Sequence, residues 1–166
     1  RDLAQGLEVP VKVSLTPSKH QRWNAGAGYG TDTGPRGTVA LELRRINRQG
    51  HRGQVELRGS QIEQSLQAQY QIPGAYPRTD VLTFSLGYAD LNTDTSKSQS
   101  SLIGVGLTQA RGEWREAFAL NLQREDFEVG LDEGRAELLI PQATWTRVRA
   151  DDRISTTKGH RVEFTL

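Results

Sequence analysis

Cysteine is absent from this sequence, which excludes disulfide bonds and thiolate metal sites. Apolar runs of about 18 residues are absent too, so no transmembrane helix is predicted, and no basic segment with an apolar core indicates a signal peptide. Basic and acidic side chains nearly balance at 21 and 20, for a net charge of +1. A nucleic-acid-binding protein is usually clearly basic, so nucleic acid is not expected as a partner.

What the sequence does contain is a glycine-rich stretch at residues 23–37, WNAGAGYGTDTGPRG, that alternates with a period of two. Such alternation predicts a β-strand with two different faces. A face of glycines packs nothing and lowers strand propensity, which favours backbone that bends, opens or is approached closely. One face is predicted to hold Trp23, Ala25, Ala27 and Tyr29, and the other Asn24, Gly26, Gly28 and Gly30. Turn chemistry follows, from Asp32 through Gly34 and Pro35 to Gly37.

Alternation continues through most of the chain and predicts an all-β fold. The segment 9–15, VPVKVSL, is predicted to be a half-buried strand, and the polar connector after it indicates a domain boundary near residue 22. Residues 1–21 are therefore assigned to the end of one domain and residues 22–166 to a second, with about nine antiparallel strands. Loops are predicted at 73–80, 92–100, 129–134 and 150–159. A helix at 60–70 is the weaker alternative to a strand there.

The polar face of these strands leaves two architectures open. Side chains such as Glu42, Arg58 and Gln69 lie in mid-strand, opposite an apolar face. In a soluble sandwich the apolar face is the core, whereas in a membrane barrel it meets lipid and the polar face lines a watery lumen. Strands that alternate in direction would place aromatic residues at two opposite ends, as membrane interfaces favour. One end is predicted to hold Trp23, Tyr76 and Trp114, and the other Tyr29, Tyr88 and Phe127.

The glycine-rich stretch resembles the start of the barrel in the TamA family, the outer-membrane components of the translocation and assembly module. The similar segments are GYGTDTGPRG after a strand, then LRRINRQGHRG, SQIEQSLQAQYQIP, GYADLNTDTSKSQS as a long outer loop, REDFEVG and TWTRVRADD, in this order. VPVKVSLTP is similar to the last strand of a periplasmic POTRA domain of that family. The wider family of BamA-type assembly factors is similar as well, although the turn motif is closer to TamA.

The resemblance implies an antiparallel up-and-down transmembrane β-barrel of sixteen strands in a Gram-negative outer membrane. Residues 22–166 would form its N-terminal half, and residues 1–21 the end of a periplasmic POTRA domain. The implied function is protein assembly, in which the first strand, residues 23–30, parts from the last and a client strand adds to its edge by β-augmentation. The implied partners are outer-membrane client proteins such as autotransporters, outer-membrane lipid and a TamB-like partner anchored in the inner membrane.

Some residues have a simpler interpretation beside the functional one. The glycines of the first strand also fit a bend that only permits curvature. Arg36 is the basic residue of the predicted turn and a candidate for lipopolysaccharide phosphate, although a solvated loop arginine is the simpler interpretation. The last predicted strand, 162–166, is expected to present an open edge that invites pairing with another chain.

The sequence predicts no enzyme. The three histidines, His20, His51 and His160, lie in predicted turns without metal-ligand spacing and are expected to be solvated. Glu125 and Asp126 form an acidic pair that is interpreted as a rim charge, and no metal or cofactor is expected. Two other functions stay open beside the assembly factor: a simple outer-membrane barrel, as a channel or adhesin, and a soluble β-sandwich binding module.

Overall fold

The structure, a computed structural model, describes residue 14 and residues 19–31, 33–93, 95–130, 132–151 and 157–166. Most of the expected periplasmic segment 1–21, including all but one residue of the strand predicted at 9–15, lies outside these residues. Asp32 of the expected turn lies outside them as well. The first described strand starts at Gln21, close to the boundary that the sequence predicts near residue 22.

The described residues form one antiparallel sheet of nine strands, in which each strand pairs with its neighbours in chain order. This up-and-down arrangement confirms the all-β prediction and the predicted strand number. The strands are β1 (Gln21–Gly30), β2 (Gly34–Leu43), β3 (Arg52–Ser60), β4 (Glu63–Pro73), β5 (Val81–Asn92), β6 (Ser96–Arg111), β7 (Trp114–Val129), β8 (Asp132–Ala150) and β9 (Gly159–Thr165).

The helical alternative for residues 60–70 is wrong, because β4 occupies Glu63–Pro73 and pairs along its length with β5. Its alternating Leu66, Ala68 and Tyr70 point to one face, which is the period of a strand. Across the described part of the chain, no helix has the length and apolar character needed to cross a membrane.

Several connections are shorter than the sequence predicts. The long outer loop expected at 92–100 is wrong, because β5 ends at Asn92 and β6 already begins at Ser96. Serines and other polar residues occupy both faces of β6 from Ser96 to Ser101, so no alternation predicts a strand there. This part of β6 nevertheless pairs with β5 and β7. The turn expected at 129–134 is also shorter, because β8 begins at Asp132. By contrast, β8 ends at Ala150 and β9 begins at Gly159, as predicted.

The connection between β6 and β7 shows how the sequence sets a tight hairpin. Only Gly112 and Glu113 lie between Arg111 and Trp114. Gly112 has a φ of 61°, and no residue other than glycine has a positive φ among the described residues. A positive φ at the first of two central residues is the pattern of a type II′ turn, which matches the twist of antiparallel strands.

The register staggers the two ends of the sheet. We call the end where β1 joins β2 the upper end and the opposite end the lower end. One row of paired residues runs through every strand from Gln21 on β1 to Pro141 on β8. Above this row β1 and β8 extend equally far, to Gly30 and Asp132. Below it β1 stops at once, whereas β8 continues to Ala150, so the strands lengthen toward β8 at the lower end only.

The sheet has no covering layer within the described residues. None of their hydrophobic side chains is buried, and large ones remain exposed on most strands. A sheet normally buries one face against another layer or another environment. What covers the apolar face is therefore the main question about function.

Candidate functional site

β1 forms one edge of the sheet. It pairs with β2 over its whole length, from Gln21 opposite Leu43 to Gly30 opposite Gly34, and no second strand lies beside it among the described residues. The backbone N–H and C=O groups that point away from β2 are therefore unpaired there. Such a row of groups is the template on which another strand can add.

The two faces of β1 agree with the sequence prediction. Directly paired residues of antiparallel strands share a face, and Ala25 pairs with Val39 whereas Gly26 pairs with Thr38. Trp23 and Tyr29 lie on the same face as Ala25 and are 65% and 76% exposed. The opposite face holds Asn24, Gly26, Gly28 and Gly30 on β1. The glycine side of β1 thus continues the polar face of the sheet.

The turn after β1 is shorter than predicted and leaves Pro35 within a strand. β1 ends at Gly30 and β2 begins at Gly34, so the connection consists of residues 31–33. Gly34 has a φ of 66°, which keeps its predicted role in shaping the backbone. Pro35 lies opposite Tyr29 as the second residue of β2, and proline is tolerated near the start of a strand.

The placement of Arg36 in the predicted turn is wrong, although the residue is exposed as expected. It is a residue of β2, paired with Gly28 on β1 and with Ser60 on β3. Its side chain runs over Gly28: a Cβ atom added to that glycine would lie 3.1 Å from Arg36 Nε and 3.6 Å from its Cγ. The glycine therefore leaves the space that this side chain occupies on the polar face.

An apolar band crosses the other face of the sheet. Its members share one face, because directly paired residues lie on the same side of the sheet and so do residues two apart along a strand. We define the apolar band as Trp23, Ala25, Ala27, Tyr29, Val39, Leu41, Leu43, Val55, Leu57, Leu66, Ala68, Tyr70, Ile72, Leu82, Phe84, Leu86, Tyr88, Ile103, Val105, Leu107, Phe118, Leu120, Leu122, Leu139, Pro141, Ala143, Trp145, Val162 and Phe164.

The apolar band runs obliquely to the strands. The register row from Gln21 to Pro141 lies just below the lowest band residue of β1, Trp23, but close to the highest band residue of β8, Leu139. Relative to that row, the centre of the band moves down by about one residue per strand. With about 3.3 Å per residue and 4.8 Å between strands, the band is inclined by roughly 35° to the line perpendicular to the strands.

On the same face of the sheet, charged side chains lie above and below the band. Above it, Arg135 and Asp126 are 2.5 Å apart across β7 and β8, and Lys97 and Glu128 are 3.3 Å apart across β6 and β7. The remaining polar members of this upper group are Asp90, Gln99, Arg124, Glu133 and Glu137. Below the band lie Arg111, Arg147, Arg149 and His160. The apolar face is therefore a stripe with polar margins on both sides.

Glu113 holds two of the lower arginines. Its Oε1 accepts hydrogen bonds from Arg149 Nε at 3.0 Å and from Arg149 Nη2 at 2.8 Å, and Oε2 accepts one from Arg147. These hydrogen bonds, first from Arg149 and then from Arg147, keep the pKa of Glu113 below its ordinary value of 4.5. The carboxylate thus fixes a basic group beside the hairpin between β6 and β7.

Aromatic residues gather at the lower edge of the band on β7, β8 and β9, where Trp114 is one of the three aromatic residues that the sequence predicts for this end. The ring of Trp114 stacks on Phe164 with centroids 6.3 Å apart, and the guanidinium of Arg147 lies 5.8 Å from the centroid of Trp114. Phe118 and Trp145 meet edge to face at 5.6 Å. Trp145 and Phe164 are therefore additional aromatic residues at this level, and their place became visible only with the pairing of β7, β8 and β9.

One predicted interface aromatic lies on the wrong face. The strand directions put Trp23, Tyr76 and Trp114 toward the lower end and Tyr29, Tyr88 and Phe127 toward the upper end, as predicted. Phe127, however, pairs with Gly134 on the polar face, and its ring fills the space above that glycine, where an added Cβ would lie 2.6 Å from Cζ. Phe127 therefore does not belong with the band aromatics. It is an odd number of residues from Leu122 on the same strand, so the two side chains lie on different faces of the sheet.

The acidic pair and one histidine also differ from prediction. Glu125 and Asp126 point to opposite faces: Glu125 accepts a hydrogen bond from Ser98 at 2.9 Å, whereas Asp126 pairs with Arg124 and Arg135. The two carboxylates therefore do not act together. His51 is not simply solvated, because its Nδ1 lies 2.6 Å from the hydroxyl of Tyr70.

The described residues contain no group of three or more metal-ligating side chains that could hold an ion. No model of a known protein family matches this sequence. The features of the described residues that bear on function are the apolar band, the free edge of β1 and the polar face beside it.

Proposed function

We propose that this chain forms part of the wall of an outer-membrane β-barrel, with the apolar band toward lipid and the polar face toward the lumen. The observation that carries this proposal is the inclination of the band. Strands of membrane barrels tilt by about 35–45° from the barrel axis. A lipid belt of constant height must therefore deviate by the same angle from the line perpendicular to the strands. The inclination of roughly 35° worked out from the register meets this requirement.

The polar margins support the same orientation. A barrel in a membrane needs polar groups wherever its outer surface leaves the hydrocarbon region, and the charged groups above and below the band supply them. Trp114 and Trp145 at the lower edge fit the aromatic girdle at a lipid–water interface. A sandwich core would call for a second apolar layer, and the described residues provide none.

We further propose that β1 is the edge at which the protein accepts strands of client outer-membrane proteins, as the resemblance to TamA-type assembly factors implies. Three features of β1 support this. Its outer edge is unpaired among the described residues, its polar side has no side chains at Gly26, Gly28 and Gly30 to lock a neighbour, and at 10 residues it is shorter than the strands from β4 to β8. A client strand would pair there through backbone hydrogen bonds.

Disulfide capture tests the edge directly, since the chain has no native cysteine. Ala25→Cys places a thiol on β1, and Val39→Cys places one directly opposite on β2 and on the same face. Disulfides form when Cα atoms are about 4.4–6.8 Å apart, whereas β2 lies about 10 Å from a strand added outside β1. In the full-length protein in outer-membrane vesicles, a client with a single strand cysteine should therefore be captured by Ala25→Cys and not by Val39→Cys.

Two outcomes would contradict this proposal. Equal capture by both variants would mean that the client does not add at the edge of β1. An assembly-competent protein that captures no client from Ala25→Cys, whichever client position carries the cysteine, would favour the simple outer-membrane barrel, which has the same apolar band but does not use β1.

A further inference from the structure

The side chain of Arg36 runs from β2 over Gly28 of the edge strand β1. It starts on β2, and its Cγ, Cδ and Nε all lie within 4 Å of the point where a Cβ of Gly28 would be. The guanidinium includes Nε, which lies 3.1 Å from that point and therefore above the edge strand. A Cβ at position 28 would crowd Nε, so a larger residue there would require the arginine side chain to shift.

Arg36 also differs from Arg58 and Arg44, two arginines that have a carboxylate partner. Arg58 forms an ion pair with Glu56, and Arg44, next to the lower end of β2, forms one with Glu42 at 3.3 Å. Within the described part of the chain Arg36 has no such carboxylate, and its neighbours across the strands are Gly28 and Ser60. A guanidinium has five N–H donors in a planar fork that matches a carboxylate, so an unpaired one beside a binding edge offers a specific contact.

We propose that Arg36 recognises a carboxylate side chain on the client strand, at the position that faces Gly28 from outside β1. This inference rests on the proposed use of the β1 edge. The facing client residue shares the polar face with Gly28 and lies two strand spacings, roughly 10 Å, from the backbone of Arg36. An extended arginine spans roughly 7 Å and an Asp or Glu side chain roughly 2.5–4 Å, so the two groups meet above the glycine.

This contact would also set the register of the client. The side-chain period of a strand is two, so a slip by one residue moves the carboxylate to the lipid side, where an unpaired charge is costly. The glycines at 26 and 30 offer no side chain with which the carboxylate could pair instead. Backbone hydrogen bonds would then give affinity for any extended strand, and Arg36 would select one of its registers.

Competition with synthetic strand peptides tests this in the full-length protein reconstituted in vesicles of outer-membrane lipid. Each peptide carries Glu, Gln or Lys at the position facing Gly28, and the readout is how far each one reduces disulfide capture of a cysteine-bearing peptide by Ala25→Cys. We expect the Glu peptide to compete about ten-fold better than the Gln peptide, in line with a charge-assisted hydrogen bond, and the Lys peptide worst. The advantage should shrink at high salt.

Matched variants assign the preference to Arg36. Arg36→Gln should remove the advantage of Glu while leaving the Gln peptide bound as before, and Arg36→Glu should favour the Lys peptide. Arg58→Gln, which changes another arginine of the same face with its own partner, should leave the order intact. Equal competition by Glu and Gln peptides in the protein with native Arg36 would overturn the inference even if a variant failed to fold. Absence of capture by Ala25→Cys would instead overturn the proposed edge itself.

Discussion

The strongest prediction concerns arginine substitutions along β7, because its residues sample both the apolar band and the polar face. Leu120 lies at the middle of the band on this strand, between Phe118 and Leu122. An arginine at the midplane of a membrane barrel costs about 2–4 kcal/mol, and the cost falls to about 0–1 kcal/mol near the interface. Leu120→Arg should therefore lower the equilibrium constant for folding by about 30- to 700-fold.

With the apolar band toward lipid, as proposed, the cost should change with depth. Leu122 lies two residues higher, which on a strand tilted by about 35–40° is about 5 Å nearer the outer surface. Leu122→Arg should accordingly cost less than Leu120→Arg but more than 1 kcal/mol (roughly 1–3 kcal/mol). The next band-side position is the native Arg124, about 10 Å above Leu120, where an arginine is tolerated.

Equilibrium unfolding in guanidinium from phosphatidylcholine vesicles measures these costs, with the fluorescence of the three tryptophans as the signal. Gln123→Arg is the matched control, because this residue lies on the polar face beside Leu122 and should change stability by about 0.5 kcal/mol or less. A cost at Leu120 no larger than that of Gln123→Arg would refute the lipid-facing band. A large cost that is the same at both leucines, in a protein that folds without lipid, would indicate a soluble core instead.

Three further predictions concern single contacts. Gly112→Ala, at a φ of 61°, should destabilise the protein by about 1–2 kcal/mol in the same assay, whereas Gly59→Ala, where an added Cβ has nothing within 4 Å and φ is ordinary, should cost less. Glu113 has a folded-state pKa below 4.5, so its stabilisation is present at neutral pH and is lost as the pH falls through that pKa; Glu113→Gln should be less stable than wild type at pH 7, and the difference should vanish in acid. Tyr70→Phe should remove the contact with His51 at a cost of about 0.5–1.5 kcal/mol, with no change in the strand content seen by circular dichroism.

Local alternation predicts the strands well wherever one face is apolar. Alternating apolar residues predict both the strand and its apolar face, as Val39 and Leu41 do for β2 and Leu120 and Leu122 do for β7. The method fails where both faces are polar, as in the upper part of β6, Ser96 to Ser101. Pairing with β5 and β7 continues there without any apolar signal, so a loop was expected instead of a strand.

The candidate site depends on distances between strands, which a single sequence does not contain. The inclination of the band requires the register of eight pairings, although each pairing is regular on its own. Arg36 was expected in a turn because Gly34 and Pro35 are turn residues, yet both begin β2. The face of Phe127, by contrast, was readable from its odd position relative to Leu122, and only the assumption of an aromatic belt obscured it.

The unequal strand lengths make β1 mechanically weaker than the long strands β6 to β8. β1 has 10 residues and presents glycines on one face, whereas β7 has 16 and β8 has 19, with side chains paired across most of their shared length. A pull on β1 from its free edge breaks a short row of backbone hydrogen bonds with few side-chain contacts to reinforce them. The same pull meets much greater resistance at β6 to β8. A pull applied to β1 should therefore detach this strand first, while the long strands β6 to β8 keep their pairing.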